Sequence, residues 1–345
     1  NEQALRPTSL MSAEELDAFA QEFRRALARH AERLEARRAA GKVKRCHGDL
    51  ILRNICLLDG VPTPFDCIEF DETLATIDVL YDLAFLLMDL WHREQRRLAN
   101  LVLNRYLDEC DESDGLALVP FFMAARAAVR AHVTASQASE TPVQAATPLR
   151  SEARAYFDAA LAFLRPGKTQ LVAIGGLSGT GKSTVAAHLA ADIGAPPGAR
   201  ILSSDRLRKR LHGVPAETRL PESAYLPEVS EAVYGTLRQE AARALTAGSS
   251  VIVDAVFDRP AERAAIEATA AQAGVAFQGI WLDAPTTTLL ARIEARRNDP
   301  SDATTDVLHA QLARDCGAIT WRRISAELNP ATIRETLLTS LPPAA

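Results

Sequence analysis

The residues with the clearest chemistry form one run, Gly176-Leu177-Ser178-Gly179-Thr180-Gly181-Lys182-Ser183-Thr184. It fits G-x-x-x-x-G-K-[ST] in full, the spacing of a loop built to hold phosphate. Glycines let successive backbone N–H groups turn inward on phosphate oxygens, and a helix starting at the loop's end aims its positive end at them. Gly176, Ser178, Gly179, Thr180, Gly181, Lys182, Ser183 and Thr184 are therefore the expected nucleotide-binding residues. Lys182 would neutralise charge at the β- and γ-phosphates of ATP, and the Ser183 hydroxyl would ligate Mg²⁺. Val251-Ile252-Val253-Asp254 ends an apolar run on a carboxylate suited to holding the metal or its water. A helix cap or plain loop carboxylate is the alternative for Asp254. Leu202 to Arg208 offers Asp205 as proton acceptor for a hydroxyl. Arg208, three residues on, could hold an anionic part of that acceptor. Capping a helix is the alternative for Asp205. Arg292 and Arg296 stand at i and i+4, with Arg297 beside them and Asn298 to Asp302 following. One helical face could carry them as a lid over the phosphates; a solvated charged face is the alternative.

Elements of two styles must position these groups. Residues 12–40 read as a helix: Ser12 and Glu15 form a capping box, and Leu16, Phe19, Phe23, Leu27 and Leu34 recur at helical spacing. A short strand is expected at Val43–Cys46, then a loop, His47–Asn54. A hairpin of Ile55–Leu58 and Pro64–Phe70 turns near Asp59-Gly60. From Ile77 to about Arg165 the pattern is helical, broken near Cys110–Gly115 and at Ser136–Pro148, the second break read as a loop. Arg165-Pro166-Gly167-Lys168 is the linker candidate. Strands then alternate with helices: Gln170–Gly175, Ile201–Ser203, Ser250–Asp254 and Phe277–Leu282. That alternation predicts an α/β unit with a parallel sheet flanked by helices, after a mainly helical first part. The expected domains are 1–165 and 169–345.

Spacing alone says P-loop NTPase. Residues 170 to about 320 further resemble the small P-loop kinases of the zeta-toxin, polynucleotide-kinase and gluconate-kinase type. The match lies in the phosphate loop, the S-x-D-x-x-R segment at Ser203–Arg208, the V-I-V-D-A strand and the R-x-x-x-R-x-x-D-P lid. The resemblance implies that Asp205 faces the acceptor hydroxyl, with Arg208 beside it, and that Arg292 and Arg296 hold the transferring phosphate. His47-Gly48-Asp49-Leu50-Ile51-Leu52-Arg53-Asn54 resembles the catalytic loop of aminoglycoside phosphotransferases. Phe65–Phe70 resembles their metal-binding segment, and Asp78–Ala84 their D-x-x-x-D-L-A helix start. By that resemblance Asp49 is the base, Asn54 and Asp66 ligate Mg²⁺, and Asp82 braces the loop. A Gly-rich loop and strand Lys do not precede His47, so this part resembles a kinase-like C-lobe without its N-lobe. It is expected to contribute little to ATP turnover.

Composition bounds the rest. The 345 residues are 48% hydrophobic and 24% charged, ordinary globular values that exclude bulk disorder. A net charge of −5 argues against a nucleic-acid-coating surface. Five widely spaced cysteines predict free thiols and a cytoplasmic setting. Ile77–Trp91 is apolar but too short, and too interrupted by Asp, to span a bilayer, so no membrane partner is expected. Asn at position 1 is expected of a fragment or processed chain. The expected activity is ATP- and Mg²⁺-dependent phosphoryl transfer to a small-molecule hydroxyl. Its alternatives are a bifunctional enzyme with an active first domain, and a nucleotide-sensing module. The acceptor region is expected near 206–247, with Arg208, Arg210, His212, Arg219 and Tyr225.

Overall fold

The computed structural model describes residues 11–297 and 299–339. It divides into two units. One holds the chain up to Leu103, with Asp111–Pro166 and Ala195–Pro197; the other holds Asn104–Cys110, Gly167–Gly194 and the chain from Gly198. The linear division at 165 and 169 contains neither exchanged segment.

In the first unit, α1 (Ala13–Ala39) starts at the expected capping box: Glu15 N–H donates to Ser12 Oγ at 3.2 Å, and Ser12 N–H to Glu15 Oε2 at 2.9 Å. Leu16 and Phe19 are buried on its inner face. Strand β1 (Val43–Arg45) pairs antiparallel with β4 (Thr76–Asp78). Between them lies the hairpin β2 (Ile55–Leu58) and β3 (Val61–Pro64). Its second strand comes earlier than the expected Pro64–Phe70. Asp59 and Gly60 both have positive φ, 51° and 80°, and this two-residue primed turn sets Leu58 directly opposite Val61. Four long helices follow: α2 (Val79–His92), α3 (Arg96–Glu109), α4 (Val119–Glu140) and α5 (Val143–Leu164).

The expected loop at Ser136–Pro148 is instead helix on both sides of Thr141-Pro142. Pro142 occupies the α5 N-cap, where its missing N–H costs nothing, while Pro148 lies within α5. Buried alanines line α4 (Ala124, Ala127, Ala128, Ala131, Ala135) and α5 (Ala146, Ala153, Ala160), and the two helices pack closely along them. The segment Ser113–Glu140 is long and apolar enough to cross a membrane, a length the sequence reading assigned to no segment. Of its most apolar stretch 61% is buried within the protein, against α2 and α5, as in a core helix.

The second unit is a five-stranded, wholly parallel sheet in the order β6-β7-β5-β8-β9. The strands are β5 (Gln170–Gly175), β6 (Arg200–Ser203), β7 (Val251–Asp254), β8 (Ala276–Asp283) and β9 (Arg322–Ser325). The helices are α6 (Lys182–Leu189), α7 (Ser204–Leu211), α8 (Pro227–Thr246), α9 (Pro260–Gln272), α10 (Thr286–Glu294), α11 (Thr305–Leu312) and α12 (Pro330–Leu338). Val172, Ile174, Ile252, Ile280 and Leu282 face Val185 and Leu189 of α6 and Ile333 and Leu337 of α12. Alternate residues point to the other face, where α8 and α9 pack. Strand β9 was absent from the sequence reading because Arg322-Arg323-Ile324-Ser325 buries only Ile324.

Candidate active site

The register of the sheet sets the site. Ile174 pairs with Asp254, and Asp254 pairs with Ser203. The phosphate loop after β5, the carboxylate ending β7 and the start of α7 therefore meet at the carboxyl edge, where open α/β sheets bind ligands. Gly176, Gly179 and Gly181 have φ of 139°, 89° and 80°. A Cβ on Gly176 would stand 2.5 Å from the Leu282 carbonyl oxygen, and one on Gly179 would stand 2.8 Å from that of Leu289. Thr180 Oγ1 donates to the Leu177 carbonyl at 2.8 Å, and Lys182 Nζ donates to it at 3.2 Å. Ser178 and Thr180 are buried, while Thr184 is exposed on the first turn of α6.

Ser183 Oγ donates to Asp254 Oδ2 at 2.5 Å. Burial pushes the Asp254 carboxyl up, against the pull of Lys182 and the Ser183 hydrogen bond. Burial pushes Lys182 down, and Asp254 and Asp205 oppose that shift. A hydroxyl and a carboxylate in contact are hard oxygen donors of the kind Mg²⁺ takes beside its waters and phosphate oxygens. Among the described residues no three His, Cys, Asp or Glu side chains gather around a point that could hold a metal. The Ser183–Asp254 pair is thus the part of this site that could hold a metal ion.

A cavity of about 820 Å³ opens on the loop, lined by Lys182, Ser183, Asp205, Arg208, Asp254, Arg292 and Arg296 among others. Helix α7 starts at Ser204 with Ser203 as its N-cap, so Asp205 lies on the first turn and is not the cap. Arg292 donates to the Ala326 carbonyl at 2.8 Å and to the Gly179 carbonyl at 3.4 Å. The shared helical face expected for Arg292 and Arg296 is not formed, because α10 ends at Glu294. Arg296 still reaches the cavity, and its Nη1 is buried with no protein partner. Arg297 bonds to the carbonyls of Glu294 and Arg296, and Asn298 lies outside the described residues.

Arg208 is buried in the cavity wall. It donates to the Ala224 carbonyl at 2.6 Å and to Ser230 Oγ at 3.3 Å, and its guanidinium lies 4.6 Å over the Tyr225 ring. Arg219 and Tyr225 line the cavity, as the sequence suggested. Arg210 does not: it pairs with Glu240. His212 lies past the end of α7 and outside the lining.

Several groups escaped sequence reasoning. Gln311 Oε1 accepts the Ser178 N–H at 2.9 Å and ties α11 to the phosphate loop. Asp302 Oδ2 accepts from Tyr225 Oη at 2.6 Å, from Leu220 N–H at 3.0 Å and from Lys209 Nζ. Tyr234, Asp258 and Glu262 also line the cavity. Asp258 follows β7 in a segment without regular structure and Gln311 is a lone polar residue on a helix, so neither carried a periodic signal.

The first unit holds the second constellation. Asp82 accepts from the N–H groups of His47 at 3.1 Å and Gly48 at 2.8 Å. Gly48 has φ of 83°, and a Cβ there would stand 2.7 Å from Ile68 Cδ1. Asn54 is buried and its Nδ2 donates to Asp49 Oδ2 and to the Asp49 carbonyl, both at 2.9 Å. Asp66 is exposed, with φ of 61°, a conformation Asp adopts more readily than most residues. The loop therefore brings Asp49 and Asn54 together and places Asp66 in the following segment.

Comparison with known proteins gives both halves a relation. Residues 171–315 match the family model described as "AAA domain", and residues 2–119 match "Phosphotransferase enzyme family". The first part of the chain is thus similar to a phosphotransferase domain and the second to an AAA domain. Uncharacterized proteins of Mycobacterium bovis and Mycobacterium tuberculosis are each 32% identical over 294 residues, covering 83% of this chain and 57% of theirs. The chain thus spans little more than half the length of these curated relatives. Similar solved structures include a sugar kinase from Janibacter (20% identity, 50% of this chain, 93% of that one, TM-score 0.35). A gluconokinase from Sinorhizobium meliloti is also similar (20%, 51% and 92%, TM-score 0.34).

Proposed function

We propose that the second unit is an ATP- and Mg²⁺-dependent kinase that passes the γ-phosphoryl group to a hydroxyl of a small molecule. One observation carries this reading: the phosphate loop, Lys182, the Ser183–Asp254 pair, Asp205 and the unpartnered Arg296 all line one cavity. Phosphoryl transfer needs little covalent help and much positioning of charge. Lys182 would leave the Leu177 carbonyl for the β/γ-phosphates, and Arg292 and Arg296 would hold the transferring group. Mg²⁺, when bound by Ser183 and Asp254, would neutralise phosphate charge. Asp205 would accept the hydrogen bond of the attacking hydroxyl, and Arg208 would shape the acceptor wall. The described cysteines are all unpaired, the state suited to a reducing cytoplasm.

The test compares two variants. Lys182→Ala should lower ATP turnover by orders of magnitude, read by calorimetry and a coupled assay on folded protein. Unchanged ATP affinity and turnover would overturn the reading. The bifunctional alternative rests on the assembled Asp49–Asn54 pair. If Asp49→Asn abolishes acceptor phosphorylation while Lys182→Ala does not, the first unit is the active kinase.

A further inference from the structure

Helices α10 and α11 grip the phosphate loop at three successive residues. Leu177 packs on the cluster of Leu289, Ile293 and Leu308, Ser178 N–H donates to Gln311 Oε1 at 2.9 Å, and Arg292 donates to the Gly179 carbonyl at 3.4 Å. Gln311 also lies in the wall of the cavity and is 9% exposed. Among the described residues its carboxamide makes only the bond to Ser178. The side-chain polar atoms that are both sealed from solvent and unpartnered lie on other residues. The Nε2 end of Gln311 is therefore an accessible donor without a protein partner, on a residue otherwise packed away. We infer that Gln311 Nε2 donates a hydrogen bond to the terminal phosphate of ATP, while Oε1 keeps its hold on the loop. This rests on the kinase reading and adds a ligand-binding residue to the same cavity.

The loop's own hydrogen bonds place that donor. The bond from Ser178 N–H to Gln311 and the bonds from Thr180 Oγ1 and Lys182 Nζ to the Leu177 carbonyl fall on one peptide unit. Gln311 thus stands one peptide unit from the ammonium that serves the β- and γ-phosphates. The N–H groups of such a loop cradle the inner phosphates, so a donor beyond the lysine meets the outermost one. A carboxamide presents acceptor and donor side by side in one plane, so holding Oε1 against Ser178 also fixes the place of Nε2. The helix beneath is well seated. Leu308, three residues before Gln311, is fully buried, and Thr304 Oγ1 caps α11 by accepting the Val307 N–H at 3.4 Å. The side-chain type agrees. For tying down the Ser178 N–H alone a carboxylate would serve better, because a charged acceptor makes the stronger bond. Beside a triphosphate its second oxygen would repel, whereas glutamine keeps the acceptor and offers a neutral donor.

The experiment measures ATP and ADP affinity by calorimetry, with Mg²⁺ and the full chain, for wild type, Gln311→Glu, Gln311→Met and Lys182→Ala. Gln311→Glu keeps an acceptor for Ser178 and should melt within about 2 °C of wild type. It replaces the donor with a negative oxygen, so at about pH 8 it should weaken ATP binding by roughly 10- to 100-fold and ADP binding by less than about threefold. That deficit should shrink as pH falls from about 8 to about 5, because the protonated acid loses its charge and regains a donor. Gln311→Met loses both bonds and should weaken ATP more than ADP, with no recovery at low pH. Wild-type ATP affinity in both Gln311 variants overturns the inference. Equal losses of ATP and ADP in both also overturn it, since a mere support of the loop acts on both nucleotides alike. Should Gln311→Glu fail to fold, the ATP-to-ADP ratio of Gln311→Met decides alone. Lys182-dependent ATP binding that is indifferent to Gln311 overturns the inference and leaves the kinase reading. ATP binding and turnover unaffected by Lys182→Ala overturn the kinase reading and the inference with it.

Discussion

Asp205 is the residue on which the proposed transfer chemistry turns. The Ser203–Asp254 register places it one residue into α7, across from the phosphate loop, and Ser203 takes the cap position that could have explained it structurally. A loose transition state asks the acceptor group for positioning and a late proton acceptor, and an ionised carboxylate supplies both. Asp205→Asn keeps the shape but is a far weaker base. It should leave ATP affinity near the wild-type value and lower acceptor phosphorylation by roughly 10²-fold. Titration with ATP and mass-shift assays on the same preparation check the two halves. Transfer at the wild-type rate would leave Asp205 without a role in chemistry.

At the scale of elements, Asp302 joins the segment after α10 to the acceptor wall. Its carboxylate gathers Lys209 from α7, Tyr225 and the Leu220 N–H, and Lys209 is almost fully buried. Burial works to raise the Asp302 carboxyl, but the hydrogen bonds from Lys209, Tyr225 and Leu220 outweigh it and hold it below the ordinary value. A carboxyl lowered in the folded state stabilises fully above its unfolded value, about 4, and that stabilisation is lost as pH falls through the folded value. Asp302→Asn should therefore be less stable than wild type at neutral pH, by about 3–5 kcal/mol if Lys209 stays charged and buried. The gap should narrow below about pH 4, as urea midpoints across pH would show. A gap independent of pH would remove the ion pair from the explanation. Strands with unbroken apolar runs, the capping box at Ser12 and the phosphate loop were legible in the sequence because each is a local pattern. The Asp302 brace was not, because its partners lie 77 to 93 residues away and each alone is an ordinary polar residue. The end of α10 was misread for a related reason: Arg292 and Arg296 keep helical spacing, yet the helix stops between them.

The order of the two halves was legible across the whole molecule; their boundary in space was not, because nothing local marks a helix whose last residues serve another unit. Asn104–Cys110 belongs to the second unit, where it covers the edge strand β6. Asn104 Oδ1 accepts the Ile201 N–H at 2.7 Å, and its Nδ2 donates to the Ala199 carbonyl at 3.1 Å, so an exposed sheet edge is closed. Asp108 accepts from Arg200 at 2.8 Å and lies 3.4 Å from Arg206. Arg200 is only 4% exposed, so removal of its carboxylate would leave a buried charge uncompensated. That loss typically costs about 3–5 kcal/mol. Asp108→Ala should accordingly lower the melting temperature of the second unit by roughly 10 °C, at about 2–4 °C per kcal/mol for a unit of this size. A fragment starting at Gly167 lacks both the edge cover and the carboxylate, and should be less stable still and prone to associate through β6. Calorimetry of wild type, Asp108→Ala and the fragment tests this directly. Equal melting temperatures for wild type and Asp108→Ala would show that α3's last turn is only a neighbour of the sheet and not a part that holds it.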